Sequence, residues 1–406
     1  MPRFWAGVDA GKTKHHCVVV DEDGRRMLSR KIANDEGEIH GLLAEVLELT
    51  EDGVVTWATD LNQGGAALLI SVLVAHDQEV LYFPGRAVSH AASTYRGDTK
   101  TDAKDAAIIA DQARMRRDLH PVRYGSAIAA DLRLLSSYRA DLVNDRTRTI
   151  NRLRAALLEY FPALEAAFDY SRRKAALVLL TRYQTPEGIR MAGVAELVEW
   201  IGAHVRQRPV VTATARDAIA AAERQQITVR GQAAAALIVA SLATEVLRLR
   251  AAIAEVEKAI EERLDRHEHA AILMSMPGFG AQLAADFIAA TGGTIAHFST
   301  SDRLAGMAGV APVPRDSGRI QHNHRRPRRY DRRMLRACFL AAQTAAVFCP
   351  ESRAYYERKR REGKSHKQAV LALARRRITV IYAMLRDGTT YRPRPAVSSS
   401  LLVSSG

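Results

Sequence analysis

Cysteine is scarce in this chain. Cys17, Cys338 and Cys349 are odd in number and stand at no metal-ligating spacing, which argues against a disulfide framework or a zinc finger and makes reduced, buried thiols the expectation. No apolar run reaches the length of a membrane span, and Met1-Pro2-Arg3-Phe4-Trp5 leads straight into a strand-like segment without a signal-peptide core. A cytoplasmic protein, nucleoid-associated when acting and free of the membrane, is the expectation. Negative charge is also short: 45 Asp and Glu face 59 Lys and Arg, for a net charge of +14 and a pI near 9.9. Such a surplus calls for a polyanionic partner, nucleic acid before membrane surface.

The surplus is local. From Ala311 to Arg394 twenty-two Lys and Arg face six Asp and Glu, an excess of sixteen that exceeds the whole-chain figure and leaves the remainder close to neutral. Pro395 to Gly406 are Ser-rich without a packing pattern and read as a disordered tail. The 406 residues, 47% of them apolar, suffice for two or three domains with their own cores.

Near the N-terminus, Phe4 to Val8 is apolar, Asp9-Ala10-Gly11-Lys12 is turn-like, and His16 to Val20 is apolar again. With Met27 to Ile32 these predict a β-hairpin followed by a third strand. A helical stretch from Gly37 to Leu49 and a strand from Val54 to Ala58 follow, with Asp60 just past the strand's end. Asp102 and Asp105 stand three apart at the head of a helix beginning near Thr101, a spacing that puts both on one face. Any one of these four carboxylates is adequately explained as a cap or turn residue. Together, Asp9, Asp60, Asp102 and Asp105 outline a site for a hard cation such as Mg²⁺, which takes oxygen ligands and retains water.

Two phosphate-binding readings of the same segment fare worse. Ala6 to Thr13 nearly spells the loop G-x-x-x-x-G-K-S/T, but its first glycine is Ala6 and an apolar β-like run follows where a helix is required. The phosphate hairpin of actin-like ATPases also places an Asp and a Gly between strands, yet no second phosphate hairpin or adenosine-binding glycine pair follows.

The middle of the chain is Ala-rich and helical. Leu132 to Leu157 is amphipathic, and Leu242, Val246, Leu249, Ile253, Val256, Ile260 and Leu264 recur at spacings of four and three, a coiled-coil seam. Its partner is either an antiparallel helix of the same chain or a second copy. Between them, Arg182 to Gln232 holds helical patches at Val194 to Val205 and Asp217 to Gln225, read as connection only.

Beyond the seam, Met276-Pro277-Gly278-Phe279-Gly280 precedes an apolar helix from Leu283 to Ala290 and resembles the hairpin of helix-hairpin-helix modules. Backbone N–H groups at Gly278 and Gly280 are thus candidates to hold a phosphate, against a plain packing turn. A Pro- and Gly-rich loop from Gly309 to Arg329 carries Ser317 at its bend with Arg315, Arg319, Arg325 and Arg326 close in sequence. A serine attacks phosphorus only when its proton is taken and positive charge meets the developing phosphorane. A Ser-Gly turn in a phosphate-binding loop explains the same residues locally. Arg336 to Phe348 and Ser365 to Leu385 predict helices, with Lys364, Lys367, Arg375, Arg376 and Arg377 on or near exposed faces.

The order of these parts resembles the transposases of the IS110 family of bacterial insertion sequences, a pattern shared by Piv-type DNA invertases. The resemblance rests on Gly7-Val8-Asp9, Asp60, Lys100 to Ala106, Pro277 to Gly280, Ala305 to Pro312 and Ser317-Gly318. It implies α/β plus α architecture: a RuvC-like domain of the ribonuclease H fold (1–122), a helical region with a coiled coil (123–272), a mostly α transposase domain (273–394) and the tail (395–406). It further implies a D-E-D-D tetrad of Asp9, Asp60, Asp102 and Asp105 holding Mg²⁺ or Mn²⁺, and Ser317 as the nucleophile that links to DNA. The implied partners are donor and target DNA, a structured bridge RNA that pairs with both, and further copies of the chain in a dimer or tetramer. Two departures stand out. Asp60 replaces the family's usual Glu, and a G-N-x-x-L-R element is reduced to Tyr330-Asp331-Arg332-Arg333-Met334-Leu335-Arg336. The rival expectations are a RuvC-like nuclease whose metal activates water and a non-catalytic nucleic-acid scaffold.

Overall fold

A computed structural model describes residues 1–51, 53–95, 101–122, 126–314, 324–325, 327 and 329–393. The chain divides into two compact units, 1–124 and 125–406.

The first unit is built on a mixed sheet. Its elements are β1 (Arg3–Ala10), β2 (Lys14–Val20), β3 (Arg26–Ala33), α1 (Glu36–Thr50), β4 (Val54–Thr59), α2 (Ala67–Ala75), β5 (Glu79–Tyr82), α3 (Gly85–Ala92), α4 (Asp102–Met115) and the two-residue β6 (His120–Pro121). The order across the sheet is β3-β2-β1-β4-β5-β6, with β1, β4 and β5 parallel and the other pairings antiparallel. This arrangement is compatible with the RuvC-like domain expected. One element boundary differs: β1 runs on to Ala10, so Asp9 lies inside the strand rather than in a turn.

Alternation along β1 sorts its residues to two faces. Ala6, Val8 and Ala10 pack with Trp57 against α1 and α2, through Ile39, Leu42, Val46, Leu69 and Leu73. The opposite face is covered by α4, where Ala106 and Ala110 meet Val18 and Val20, and Ile109 belongs to a core with Ala58. Gly7 makes this approach possible: a Cβ there would stand 2.3 Å from both the Ala106 carbonyl oxygen and the Ala110 nitrogen. The Thr101 hydroxyl caps α4 by accepting from the Lys104 N–H.

The second unit is almost wholly helical: α5 (Ala127–Tyr160), α6 (Pro162–Ala167), α7 (Lys174–Leu180), α8 (Pro186–Gly202), α9 (Arg208–Glu223), α10 (Gln232–Leu264), α11 (Ala270–Ser275), α12 (Ala281–Thr291), α13 (Ser301–Met307), α14 (Arg332–Phe348), α15 (Pro350–Arg361) and α16 (His366–Asp387), with the short pair β7 (Val313–Pro314) and β8 (His324–Arg325). The long helices α5 and α10 run antiparallel, as Asp131 pairs with Arg263 at 3.4 Å and Arg139 with Glu257 at 2.8 Å. The seam residues Leu242 to Leu264 are all buried, with α5 of the same chain against them.

The two long helices serve two cores. Leu132 and Leu142 join Leu249, Ile253, Ile260 and the helices from α11 to α16, so packing continues across 272/273. Ile150, Leu153 and Leu157 join Leu242 and Val246 with α6 to α9. Arg182 to Gln232 therefore belongs to a packed subdomain, which corrects its reading as connection; buried Ile189, Leu197, Ile201 and Val211 give it that core. All three cysteines are buried and free, and burial pushes the Cys17 and Cys338 thiols up to about 12. Among the described residues no helix is long and apolar enough to cross a membrane.

Candidate active site

Register brings the first-unit site together. On β1 and β2 Asp9 is paired with His16, and on β2 and β3 His16 is paired with Lys31. On the other side of β1, Val8 pairs with Thr59, which ends β4 beside Asp60. Alternation puts Asp9, His16 and Lys31 on the face that α4 covers, so they form one row across the strands with Asp60 at its end. The first turn of α4 carries Asp102 and Asp105 to this row.

The charge of Asp105 acts on Asp60. The Asp60 carboxyl is held above its usual range, first by burial and further by the Asp105 charge, against hydrogen bonds from backbone N–H groups that favour the ionised form. One of these is the Ala10 N–H, which donates to Asp60 Oδ1 at 3.1 Å and holds the carboxylate over the end of β1.

Asp102 points elsewhere. Its Oδ2 accepts from Lys31 Nζ at 2.9 Å, and that hydrogen bond, with the Lys31 charge, lowers the Asp102 pKa. The pair is half exposed. Burial lowers the pKa of His16, which Asp102 opposes and Lys31 reinforces; its Nε2 lies 3.0 Å from Ser29 Oγ. Sequence reasoning missed Lys31 and His16, whose place depends on hairpin register.

The four carboxylates are not gathered into a tetrad. The Asp105 charge reaches Asp60, Asp9 lies next to Asp60 by the register of β1 on β4, and Asp102 is engaged by Lys31. Among the described residues no three His, Cys, Asp or Glu side chains converge on one point. The donor chemistry still suits a hard cation: the carboxylates are all oxygen donors, and the mutual repulsion of Asp60 and Asp105 is relieved by positive charge between them.

In the second unit, Ser317, Arg315, Arg319 and Arg326 lie outside the described residues. Arg325 is described and exposed on β8, paired with Val313 of β7. It lines a cavity of about 610 Å³ with Tyr355, Lys359, Lys364, Gln368 and Arg375. Arg358, Lys359 and Arg376 also stand over the Tyr355 ring, at 4.9, 5.6 and 4.8 Å.

The hairpin glycines differ from one another. Gly278 adopts a φ of 84°, and a Cβ there would lie 2.4 Å from the Ala341 carbonyl oxygen, so this residue allows the turn to pack on α14. Gly280 is exposed at the start of α12, with nothing near an added Cβ. One basic residue requires correction: Arg377 is 4% exposed, not on a solvated face. It donates to the Pro277 carbonyl and, at 3.3 Å, to Ser352 Oγ, tying the hairpin to α15 and α16.

Residues 6–162 match a family model described as transposase, the DEDD type of IS110, and residues 270–357 match the model of the transposase IS116/IS110/IS902 family. The chain is 55% identical to the insertion element IS900 uncharacterized 42 kDa protein of Mycobacterium paratuberculosis, over 98% of this chain and 99% of that one. It is 45% identical to the insertion element IS116 uncharacterized 44.8 kDa protein of Streptomyces clavuligerus, over 98% of each. The pilin gene-inverting protein of Moraxella bovis is 25% identical over 32% of this chain and 40% of its own length.

Proposed function

Because the chain belongs to the IS116/IS110/IS902 family of transposases, we propose that it cleaves and exchanges DNA strands through a covalent seryl intermediate, directed by a structured guide RNA. The observation that carries this reading is the row of Asp9 and Asp60 beneath the acidic first turn of α4, where Asp60 and Asp105 repel one another. Asp60 and Asp105 would hold Mg²⁺ or Mn²⁺, with Asp9 beside them and Asp102 joining once Lys31 lets go. When bound, the ion supplies Lewis acidity toward a phosphoryl oxygen and lowers the pKa of a hydroxyl.

Ser317 is the nucleophile. Its Oγ forms a bond to phosphorus as the bond from phosphorus to the 3′ oxygen breaks; the seryl proton is lost and the departing oxygen leaves as a 3′-hydroxyl. The phosphoseryl ester conserves the bond for rejoining to a new 3′-hydroxyl. Arg315, Arg319, Arg325 and Arg326 offset charge on the phosphorane. Phosphate contacts of this kind position DNA without reading its sequence, which fits delegation of specificity to RNA pairing. Strand exchange at paired ends calls for more than one copy of the chain.

Incubating Ser317→Ala and wild-type protein with element-end DNA, guide RNA and Mg²⁺, then denaturing, tests the assignment. The wild type should give a denaturation-resistant protein–DNA adduct and the variant none. Cleavage without any adduct in the wild type would mean that water attacks instead.

A further inference from the structure

We propose that the helical subdomain between the two family-matched regions carries its own binding site for a nucleic-acid phosphodiester backbone, in the cleft between the start of α7, the α8–α9 turn and α10. The cleft has a volume of about 810 Å³ and is lined by Arg172, Arg173, Lys174, His204, Arg206 and Arg250, with no acidic residue in its wall. Its floor is apolar, formed by side chains such as Val205 and Val210. It falls outside both matched spans, 6–162 and 270–357.

Nearby carboxylates do little to neutralise it. Asp169 lies 3.6 Å from Arg172 and Asp217 lies 3.3 Å from Arg173, both in exposed pairs of the weakly stabilising kind. Two other cations are aimed by neutral carbonyls: Lys174 Nζ donates to the His204 oxygen at 3.2 Å and Arg250 to the Ser171 oxygen at 3.0 Å. Behind Arg250 stands Arg146 of α5, whose Nε is buried without a hydrogen-bond partner among the described residues. Burial and the Arg146 charge both disfavour the charged form of Arg250. Guanidiniums crowded without a carboxylate are what an incoming anion stabilises.

The anion class follows from the shape. Several cations around an apolar floor suit a chain that alternates phosphates with sugar and base surface, and the volume accommodates one or two nucleotides. The choice of nucleic acid among polyanions rests on the transposase reading above.

Fluorescence anisotropy of the full chain against a labelled DNA single strand, a DNA duplex and an RNA hairpin, across a salt series, tests the site. Arg172→Gln/Lys174→Gln/Arg206→Gln, all at exposed positions, should weaken binding about tenfold or more on at least one probe. It should also flatten the slope of log K against log salt by about two, since each lost phosphate contact removes roughly 0.7–0.9. The probe that loses most tells whether single strand, duplex or RNA occupies the cleft. Equal affinities and slopes on all three probes overturn the proposal while leaving the transposase reading intact; a wild type that binds none of them overturns both. Should the triple variant fail to fold by circular dichroism, Arg206→Gln alone should lose one contact's slope. A photocrosslinking residue at Val210 must then label the same probe.

Discussion

Lys31 Nζ stands 2.9 Å from Asp102 Oδ2, so a side chain of β3 already supplies positive charge to the first carboxylate of α4. Removing that lysine frees Asp102 and deletes a repelling charge near an incoming ion. Lys31→Ala should therefore bind Mn²⁺ more tightly than the wild type. Its melting temperature should hardly change, because the pair is half exposed. Calorimetric titration with Mn²⁺ reads the first effect, and weaker binding would mean that Lys31 positions Asp102 for the ion.

Asp105→Asn keeps the shape of the side chain but removes half of the repelling carboxylate pair with Asp60. Metal-dependent cleavage of element-end DNA should fall below detection, whereas RNA and DNA affinity measured by gel shift should stay within about twofold, far less than the tenfold that about 1.4 kcal/mol represents. Asp102→Asn should behave likewise. Retained cleavage in either variant would remove that residue from the site.

Gly7 and Gly41 make opposite predictions for the same substitution. An Ala Cβ at 7 would collide with backbone atoms of α4 at 2.3 Å, so Gly7→Ala should destabilise by about 2 kcal/mol or more and displace Asp105. Gly41 is exposed within α1, with only the Arg30 guanidinium near an added Cβ, at 4.0 Å. Gly41→Ala should raise stability by about 0.5–1 kcal/mol. Thermal melts of the two variants decide both.

Arg377 distinguishes a packing role from a phosphate contact. Arg377→Ala leaves the Pro277 carbonyl and Ser352 without their donor and empties a buried site, for a loss of about 3 kcal/mol. Arg377→Lys should recover little, since one ammonium cannot replace a two-armed fork. The salt slope of DNA binding should be unchanged in the folded fraction. A shallower slope would return Arg377 to the nucleic-acid surface.

Asp286 on α12 is 4% exposed, and burial raises its pKa against the pull of Arg333 and Arg336. The folded-state value thus lies above that of the unfolded chain, so the ionised carboxylate opposes folding at neutral pH. That opposition fades as the pH falls through the folded value toward the unfolded one. Asp286→Asn should melt above the wild type near neutral pH, with the gap closing on acidification. A gap that widens on acidification contradicts the direction of the shift.

The first four strands, the start of α4 and the position of Asp60 were legible because apolar alternation and the Thr101 cap are local signals; β5 and β6, four and two residues long, were too short to show one. Lys31 and His16 were not, since their convergence depends on the register of three strands, which composition does not specify. Arg377 had a readable signal: it falls in phase with Val370, Leu373, Ala374 and Ile381, all buried on α16, yet its basic neighbours at 375 and 376 made it look solvated. α15 was missed because it is dominated by charge; its marker is Pro350 at the helix start. The subdomain around α8 and α9 was legible only as helical patches, because the core that Ile189, Leu197, Ile201 and Val211 share with α5 and α10 depends on tertiary packing.

The α5–α10 pair is a beam seated in two sockets, with Leu242 and Val246 in one and Leu249 to Leu264 in the other. Neither socket can slide its end of the beam without disturbing the ladder of side chains shared along its length. Strain introduced where α6 and α7 meet the pair is thus felt at α11 and α12, by mechanical continuity rather than by any jointed linker.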